Sequence, residues 1–183
     1  MSNTLTAAQE GIQAGTWALD PVHSHVGFSV DYMAGSFQAT FAPFDATLEV
    51  DSSGAVGLAG TARADGIKVQ DENLAAHLLS PEFFDAEQTP ELTFASRSFQ
   101  IEGKDVVVEG DLTIKGISQP VRLSGTIGDP VVDPYGRERI NVTLQGTVDR
   151  GGFGLDWNVP LPSGEPALAN EVALSAELAL IKG

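Results

Sequence analysis

The histidines are the side chains in this sequence with the most evident chemistry. The chain has three histidines and no cysteine, so a metal site would rest on imidazole ligands. His23 and His25 lie two positions apart and share one face of a strand, and His77 is a third candidate ligand. That face is opposite to Val26 and Phe28, which places the pair on the outer, wet side. We therefore predict hydrogen-bonding histidines, with no metal and no catalytic residue.

Arg150 is the other side chain with evident chemistry. It precedes a Gly-Gly break, and a guanidinium can pair bidentately with a pyrophosphate or bind a quinone oxygen. Arg150 is thus a candidate contact for a ligand's head group, and a structural ion pair is the equal alternative. Serine nucleophile elbows, phosphate-binding glycine loops and dinucleotide fingerprints are missing from the sequence. These observations favour a protein that is not an enzyme and needs no cofactor.

The composition indicates one acidic domain. The chain has 183 residues, with 25 Asp plus Glu against 10 Lys plus Arg and a formal charge of −15. This charge repels phosphate backbones, so nucleic-acid binding is not expected. Residues 1–15 form a polar lead without the pattern of a signal peptide, and residues 16–183 form the predicted domain. We expect a cytoplasmic protein with no integral membrane segment.

The clearest structural signal is a β-hairpin within residues 106–127. Apolar residues occupy every second position in residues 106–114 and again in residues 121–127. Gly116 and Pro120 lie between the two runs and favour a turn. One face of the hairpin is apolar, and a lone hairpin is marginally stable in water, so other strands must cover it.

Further strands and one helix follow from the same kind of pattern. Within residues 37–50 the parity of the alternation changes at Ala42-Pro43, which predicts a bulge or sharp bend in one long strand. Asp71 can cap a helix that carries Leu74 and Leu78 on one face, so we predict a short helical insertion near residues 71–85. The remaining strands are expected within these segments: 17–19, 22–32, 58–65, 92–101, 140–148 and 172–180.

This element order predicts an all-β fold, an eight-stranded antiparallel barrel. A barrel of this size either fills with side chains or holds one elongated ligand. Gly110, Gly125 and Gly146 on inward parities either leave room for a ligand or relieve strain where strands coil. A pairing of two copies is compatible with such a barrel. The candidate wall residues of a ligand cavity are Phe28, Val30, Phe41, Phe94, Leu112, Leu123, Val142, Leu144, Trp157 and Leu174.

Several ordered motifs resemble one family. Residues 19–30, reading LDPVHSHVGFSV, are similar to the opening DPxHSxVxFxV pattern of the YceI-like, polyisoprenoid-binding proteins. The resemblance runs from about Thr16 to Lys182, and several motifs in order are more specific than any one alone. The other matching segments are 76–85, 110–121, 133–136 with Arg139, and 150–158.

The resemblance implies a lipocalin-like barrel whose interior takes up a long isoprenoid chain, such as an isoprenoid quinone or a prenyl pyrophosphate. It implies binding, storage or transport of that lipid. Two departures stand out: Leu74-Ala75 replace an Arg-Asp pair found in many relatives, and the secretory signal of many relatives is missing. Two alternatives remain open. One is a metal- or His-dependent enzyme acting on a lipid-like substrate, and the other is a stress-linked interaction protein with a filled barrel.

Overall fold

The computed structural model describes residues 12–183, whose strands form a single antiparallel sheet. Most of the predicted polar lead, residues 1–11, lies outside the described residues. The strands are β1 (Gly15–Leu19), β2 (His25–Tyr32), β3 (Gly35–Phe41), β4 (Phe44–Val50), β5 (Val56–Arg63), β6 (Ile67–Lys68), β7 (Glu91–Glu102), β8 (Asp105–Ile114), β9 (Ile117–Ile127), β10 (Val131–Val132), β11 (Glu138–Asp149) and β12 (Leu168–Lys182). The helix α1 (Glu72–Leu79) lies between β6 and β7, and short 3-10 turns follow β1, β5 and β11.

Eight strand positions close the sheet into a barrel. β1 and β2 share one position because both pair with β12, with Ala18 opposite Ile181 and Phe28 opposite Leu174. β3 and β4 share the next position, since β3 pairs with β2 while β4 pairs with β1 and β5. The ring continues through β5, β7, β8, β9 and β11 back to β12, which gives eight positions. The predicted all-β, lipocalin-like antiparallel barrel is therefore confirmed.

The parity change at Ala42-Pro43 is a sharp bend between β3 and β4. The peptide bond between these two residues is cis, and the amide of Ala42 donates to the carbonyl of Gly66 at 3.0 Å. On its edge away from β2, β3 pairs with β6 only at Thr40 and Phe41. The sheet is thus open on this side of β3, next to the segment that carries α1.

The helix forms where the sequence predicts it. The carboxylate of Asp71 caps it by accepting hydrogen bonds from the amides of Asn73 and Leu74 at 2.8 and 3.0 Å. Leu78 is the one fully buried residue of α1, and it packs with Phe41 and Phe84. The helix is therefore attached to the barrel through a small part of its surface. Within residues 12–183 no helix has the length and apolar character needed to cross a bilayer.

Inward-facing side chains form two clusters at different depths of the barrel. We call the larger one the lower core; it includes Trp17, Leu48, Ile101 and Val106, which are at most 1% exposed. The upper cluster surrounds α1 and includes Phe41, Leu78, Phe84 and Phe153. Because the lower core closes one end of the barrel, free interior space is confined to the other half.

The three inward-parity glycines lie where strands approach closely. A Cβ atom at Gly146 would lie 2.7 Å from the carbonyl oxygen of Arg122, and one at Gly125 would overlap the carbonyl of Thr143. Gly110 similarly abuts the carbonyl of Ala95. These contacts support the strain-relief interpretation, because the missing side chains make room for neighbouring backbone.

Candidate functional site

An apolar cavity of about 360 Å³ occupies the half of the barrel next to α1. Leu74, His77 and Leu78 of α1 line one end, and Leu58 and Leu178 of the lower core line the other. Small-molecule sites typically have volumes of roughly 300–1,000 Å³, so the cavity has room for a ligand. The interior is therefore neither a filled core nor an open channel.

Nearly all of the predicted wall residues line this cavity. They are Phe28, Val30, Phe41, Phe94, Leu112, Leu123, Leu144, Trp157 and Leu174. Val142 does not: it is fully buried in the lower core, opposite Ile127 and Leu178. Alternation along β11 predicts that Val142 points inward, but the depth of a residue in the barrel depends on the stagger between strands. Contact of the wall residues with a ligand stays a prediction.

Aromatic rings that the sequence analysis did not select complete the wall. The ring of Phe28 lies 5.9 Å from that of Phe37 and 6.5 Å from that of Phe84, measured between ring centroids. Phe37 shares its inward parity with Phe41, so alternation was enough to find it. Phe153 also lines the cavity, but it follows β11 in a 3-10 turn where no periodicity identifies it.

The mouth of the cavity lies beside α1, where lining residues are partly exposed. Leu74 is 36% exposed, and the rings of His77 and Trp157 meet edge to face with centroids 5.0 Å apart. Phe83 contacts both of these rings, and His77 Nε2 lies 3.1 Å from a carboxylate oxygen of Glu82. The mouth is thus an aromatic and aliphatic rim with a carboxylate on its outer side.

Arg150 lines the cavity and is 4% exposed. Its Nε donates to the carbonyl of Ala169 at 2.8 Å, and its Nη1 donates to the carbonyls of Leu155 and Trp157. Nη2 makes a longer contact of 3.4 Å with the carbonyl of Leu168. Burial lowers the pKa of Arg150, and the nearby carboxylates of Asp156 and Asp149 partly oppose that shift. The guanidinium therefore joins the segment that carries Trp157 to the start of β12.

The structure separates the histidines. His23 lies in the 3-10 turn after β1, His25 begins β2 with its side chain exposed, and His77 lies at the cavity mouth. His23 Nδ1 lies 2.8 Å from a carboxylate oxygen of Asp20. Within residues 12–183, no three His, Asp or Glu side chains are arranged to hold a metal ion. His23 and His77 make hydrogen bonds with carboxylates, whereas the side chain of His25 is exposed.

A network of charged side chains joins two of the sequence motifs at the lower end of the barrel. Arg139 donates to Asp20 through Nη1 at 2.8 Å and to Asp133 through Nε at 2.9 Å. The hydrogen bond from Arg139, followed by that from His23, holds the pKa of Asp20 well below its usual range. Arg139 is also the main cause of the low pKa of Asp133. These motif residues fix the loop before β2 against the loop before β11, away from the cavity.

Comparison with known proteins identifies the family. The sequence model of the YceI-like domain matches residues 17–180, which is most of the chain. The chain belongs to the YceI-like family. A UPF0312 protein of Staphylococcus epidermidis is 30% identical over 164 residues, covering 86% of this chain and 92% of the relative. Protein YceI of Salmonella newport is 27% identical to this YceI-like chain over 158 residues, covering 85% of this chain and 81% of the relative.

Solved structures share the fold of this YceI-like chain. BcnA of Burkholderia cenocepacia superimposes with a TM-score of 0.74 at 21% identity, covering 88% of this chain and 98% of BcnA. A polyisoprenoid binding domain from Saccharophagus degradans superimposes with a TM-score of 0.67 at 11% identity, covering 91% of this chain and 98% of that domain. The YceI-like barrel described here is therefore a fold with experimentally determined counterparts.

Proposed function

We propose that this protein binds a long apolar ligand in the barrel and stores or transports it without changing it chemically. The ligand class we propose is a polyisoprenoid, such as an isoprenoid quinone or a prenyl pyrophosphate. The observation that carries the proposal is the apolar cavity beside α1, walled by side chains such as Phe28, Phe94 and Leu112. The fold shared with a polyisoprenoid binding domain supports the same ligand class.

The energetics of such binding need only burial of hydrocarbon. Each buried CH₂ group contributes about 0.8 kcal/mol, so each isoprene unit contributes several kcal/mol before ordering costs are subtracted. The aromatic and aliphatic wall offers this burial along the cavity. Few polar groups are required for affinity, and they serve chiefly to orient the ligand.

The experiment uses two neighbouring residues on opposite faces of β12. Leu174 lines the cavity, whereas Ala173 is exposed on the outer face. The wild-type protein, purified without detergent, should carry an apolar adduct in native mass spectrometry, and lipid extraction should identify it. Leu174→Trp should fill the cavity and remove the adduct. Ala173→Trp adds the same indole outside the barrel and should keep it.

Circular dichroism of both variants checks that the barrel still forms. A wild-type protein that is empty and also takes up no added prenyl lipid would overturn the proposed function. Equal adduct levels in the two variants would show that the ligand lies elsewhere.

A further inference from the structure

The apolar wall of the cavity accounts for the tail of the ligand but does not specify its head group. The wall contains two formally charged side chains among the described residues, Asp45 and Arg150. The carboxylate of Asp45 is exposed and accepts a hydrogen bond from the amide of Ala46 at 2.9 Å. Of these two charged side chains, only Arg150 could attract an anionic head group.

Arg150 has no edge free to bind a phosphate. A guanidinium has five N–H groups and binds phosphate through two parallel donors on one edge. Nε is used by Ala169, and both donors of Nη1 are used by Leu155 and Trp157. Both pairs of parallel donors, Nε with Nη2 and Nη1 with Nη2, include one of these occupied nitrogens, so neither pair is free for a phosphate. The nearby carboxylates of Asp156 and Asp149 also offset the positive charge of the guanidinium.

The surroundings of the mouth are acidic. Glu72 is exposed in the first turn of α1, Glu82 contacts His77 at the rim, and Asp156 is exposed next to Trp157. Lys115 lies below the turn that carries Glu82, and its Nζ donates to the carbonyls of Pro81 and Gly154 at 2.6 and 3.4 Å. Leu74 borders the opening and contributes no charge to it. A negatively charged head group leaving the cavity would meet carboxylates.

From this charge distribution we propose that the cavity selects isoprenoids with an uncharged head group, such as a quinone or an alcohol, and discriminates against prenyl pyrophosphates. The inference rests on the proposed function, because it concerns the same cavity. An apolar tail gains the same burial whichever head it carries, so the difference in affinity arises at the mouth. Repulsion between like charges near a protein surface weakens binding and is screened by salt.

The experiment compares two ligands with identical tails, geranylgeraniol and geranylgeranyl diphosphate. Delipidated full-length protein is titrated with each below its critical micelle concentration, and binding is followed by tryptophan fluorescence and isothermal calorimetry. We expect the alcohol to bind at least about tenfold more tightly at low salt. Raising the ionic strength should strengthen binding of the diphosphate and leave that of the alcohol nearly unchanged.

A matched pair of triple variants assigns the effect to the mouth. Glu72→Gln, Glu82→Gln and Asp156→Asn together neutralise the rim and should reduce the preference for the alcohol severalfold. The control neutralises three exposed carboxylates at the lower end of the barrel. It combines Glu49→Gln, Glu102→Gln and Asp105→Asn, changes the net charge equally and should leave the preference unaltered.

The outcomes separate this inference from the function on which it rests. Equal affinities, or tighter binding of the diphosphate, would overturn the selectivity while leaving the proposed function in place. An equal effect of the two triple variants would overturn the role of the mouth. Binding of neither ligand would overturn the proposed function and the selectivity together.

Discussion

Asp20 and Asp133 show how a few charged residues fix the lower end of the barrel. Asp20 follows β1 and accepts hydrogen bonds from Arg139, from His23 and from the amide of Val22. Asp133 lies 113 positions later and is bound by the same arginine, Arg139, and by Arg137. Arg139 thus holds two carboxylates that are distant in sequence. The two Asp-Pro pairs, Asp20-Pro21 and Asp133-Pro134, therefore have a structural role in this protein.

The low pKa values of Asp20 and Asp133 predict acid-sensitive stability. Because the pKa of each carboxyl is lower in the folded protein than in the unfolded chain, its contribution is complete above the unfolded pKa of about 4 and is lost as the pH falls through the folded value. Asp20→Asn should lower the urea midpoint at pH 7, and its difference from wild type should shrink steadily below about pH 4.

Urea unfolding at a series of pH values measures this difference. Asp105→Asn is the control, because Asp105 is exposed and begins β8, away from the network of Asp20, Asp133 and Arg139. It should change the midpoint little at any pH. A constant deficit for Asp20→Asn across the acid range would contradict the proposed coupling of the carboxylate to stability.

At the scale of elements, α1 is held to the barrel by few buried contacts. Leu78 is its one fully buried residue, whereas the neighbouring strands are held by continuous ladders of hydrogen bonds. The turn after α1 is secured by Lys115, which donates to the carbonyl of Pro81. Segments with few buried contacts open more readily than core strands. We expect ligand exchange to proceed by local opening of α1.

The cap of α1 offers a test of this expectation. Asp71→Ala removes the acceptor for the amides of Asn73 and Leu74 and should destabilise the helix by about 1 kcal/mol. Amide exchange within α1 and the dissociation rate of a bound prenyl lipid should both rise severalfold, while the urea midpoint changes little. Asn73→Ala, in the same turn and exposed, is the control. An unchanged dissociation rate alongside faster amide exchange would exclude α1 as the gate.

At the scale of the whole molecule, the barrel is solid at one end and hollow at the other. Trp17 and Ile101 are fully buried in the lower core, whereas the cavity wall includes residues from most strands of the ring. A ligand in the cavity therefore contacts strands that are far apart in sequence. Its binding energy should add to the stability of the whole barrel and not to that of one element.

This arrangement predicts that ligand stabilises the entire fold. With ligand at 100 times its dissociation constant, the free energy of unfolding should rise by about 2.7 kcal/mol, and Tm should increase continuously with ligand concentration. Differential scanning calorimetry of delipidated protein with geranylgeraniol measures this, with a tail-free short alcohol as the control. A Tm independent of ligand would support the alternative of a ligand-free interaction protein.

The sequence by itself determined the strands of the barrel and which of their side chains point inward, but not the two-residue strands β6 and β10. Residues 106–114 and 121–127 alternate with period two, and the structure forms β8 and β9 there. The cap of α1 at Asp71 and the bend at Ala42-Pro43 were likewise predicted, since each depends on the local chemistry of adjacent residues. Alternation is a local property of an extended chain, so it is read directly from the order of residues.

Only the tertiary structure decided how deep each inward residue lies and what the buried charges contact. Val142 and Leu144 have the same parity on β11 and both belong to the lower core, yet only Leu144 also borders the cavity. Arg150 binds the carbonyl of Ala169, 19 residues away, which no local pattern reveals. Depth and partners depend on the stagger of strands and on contacts between distant residues, and these become fixed only when the barrel closes.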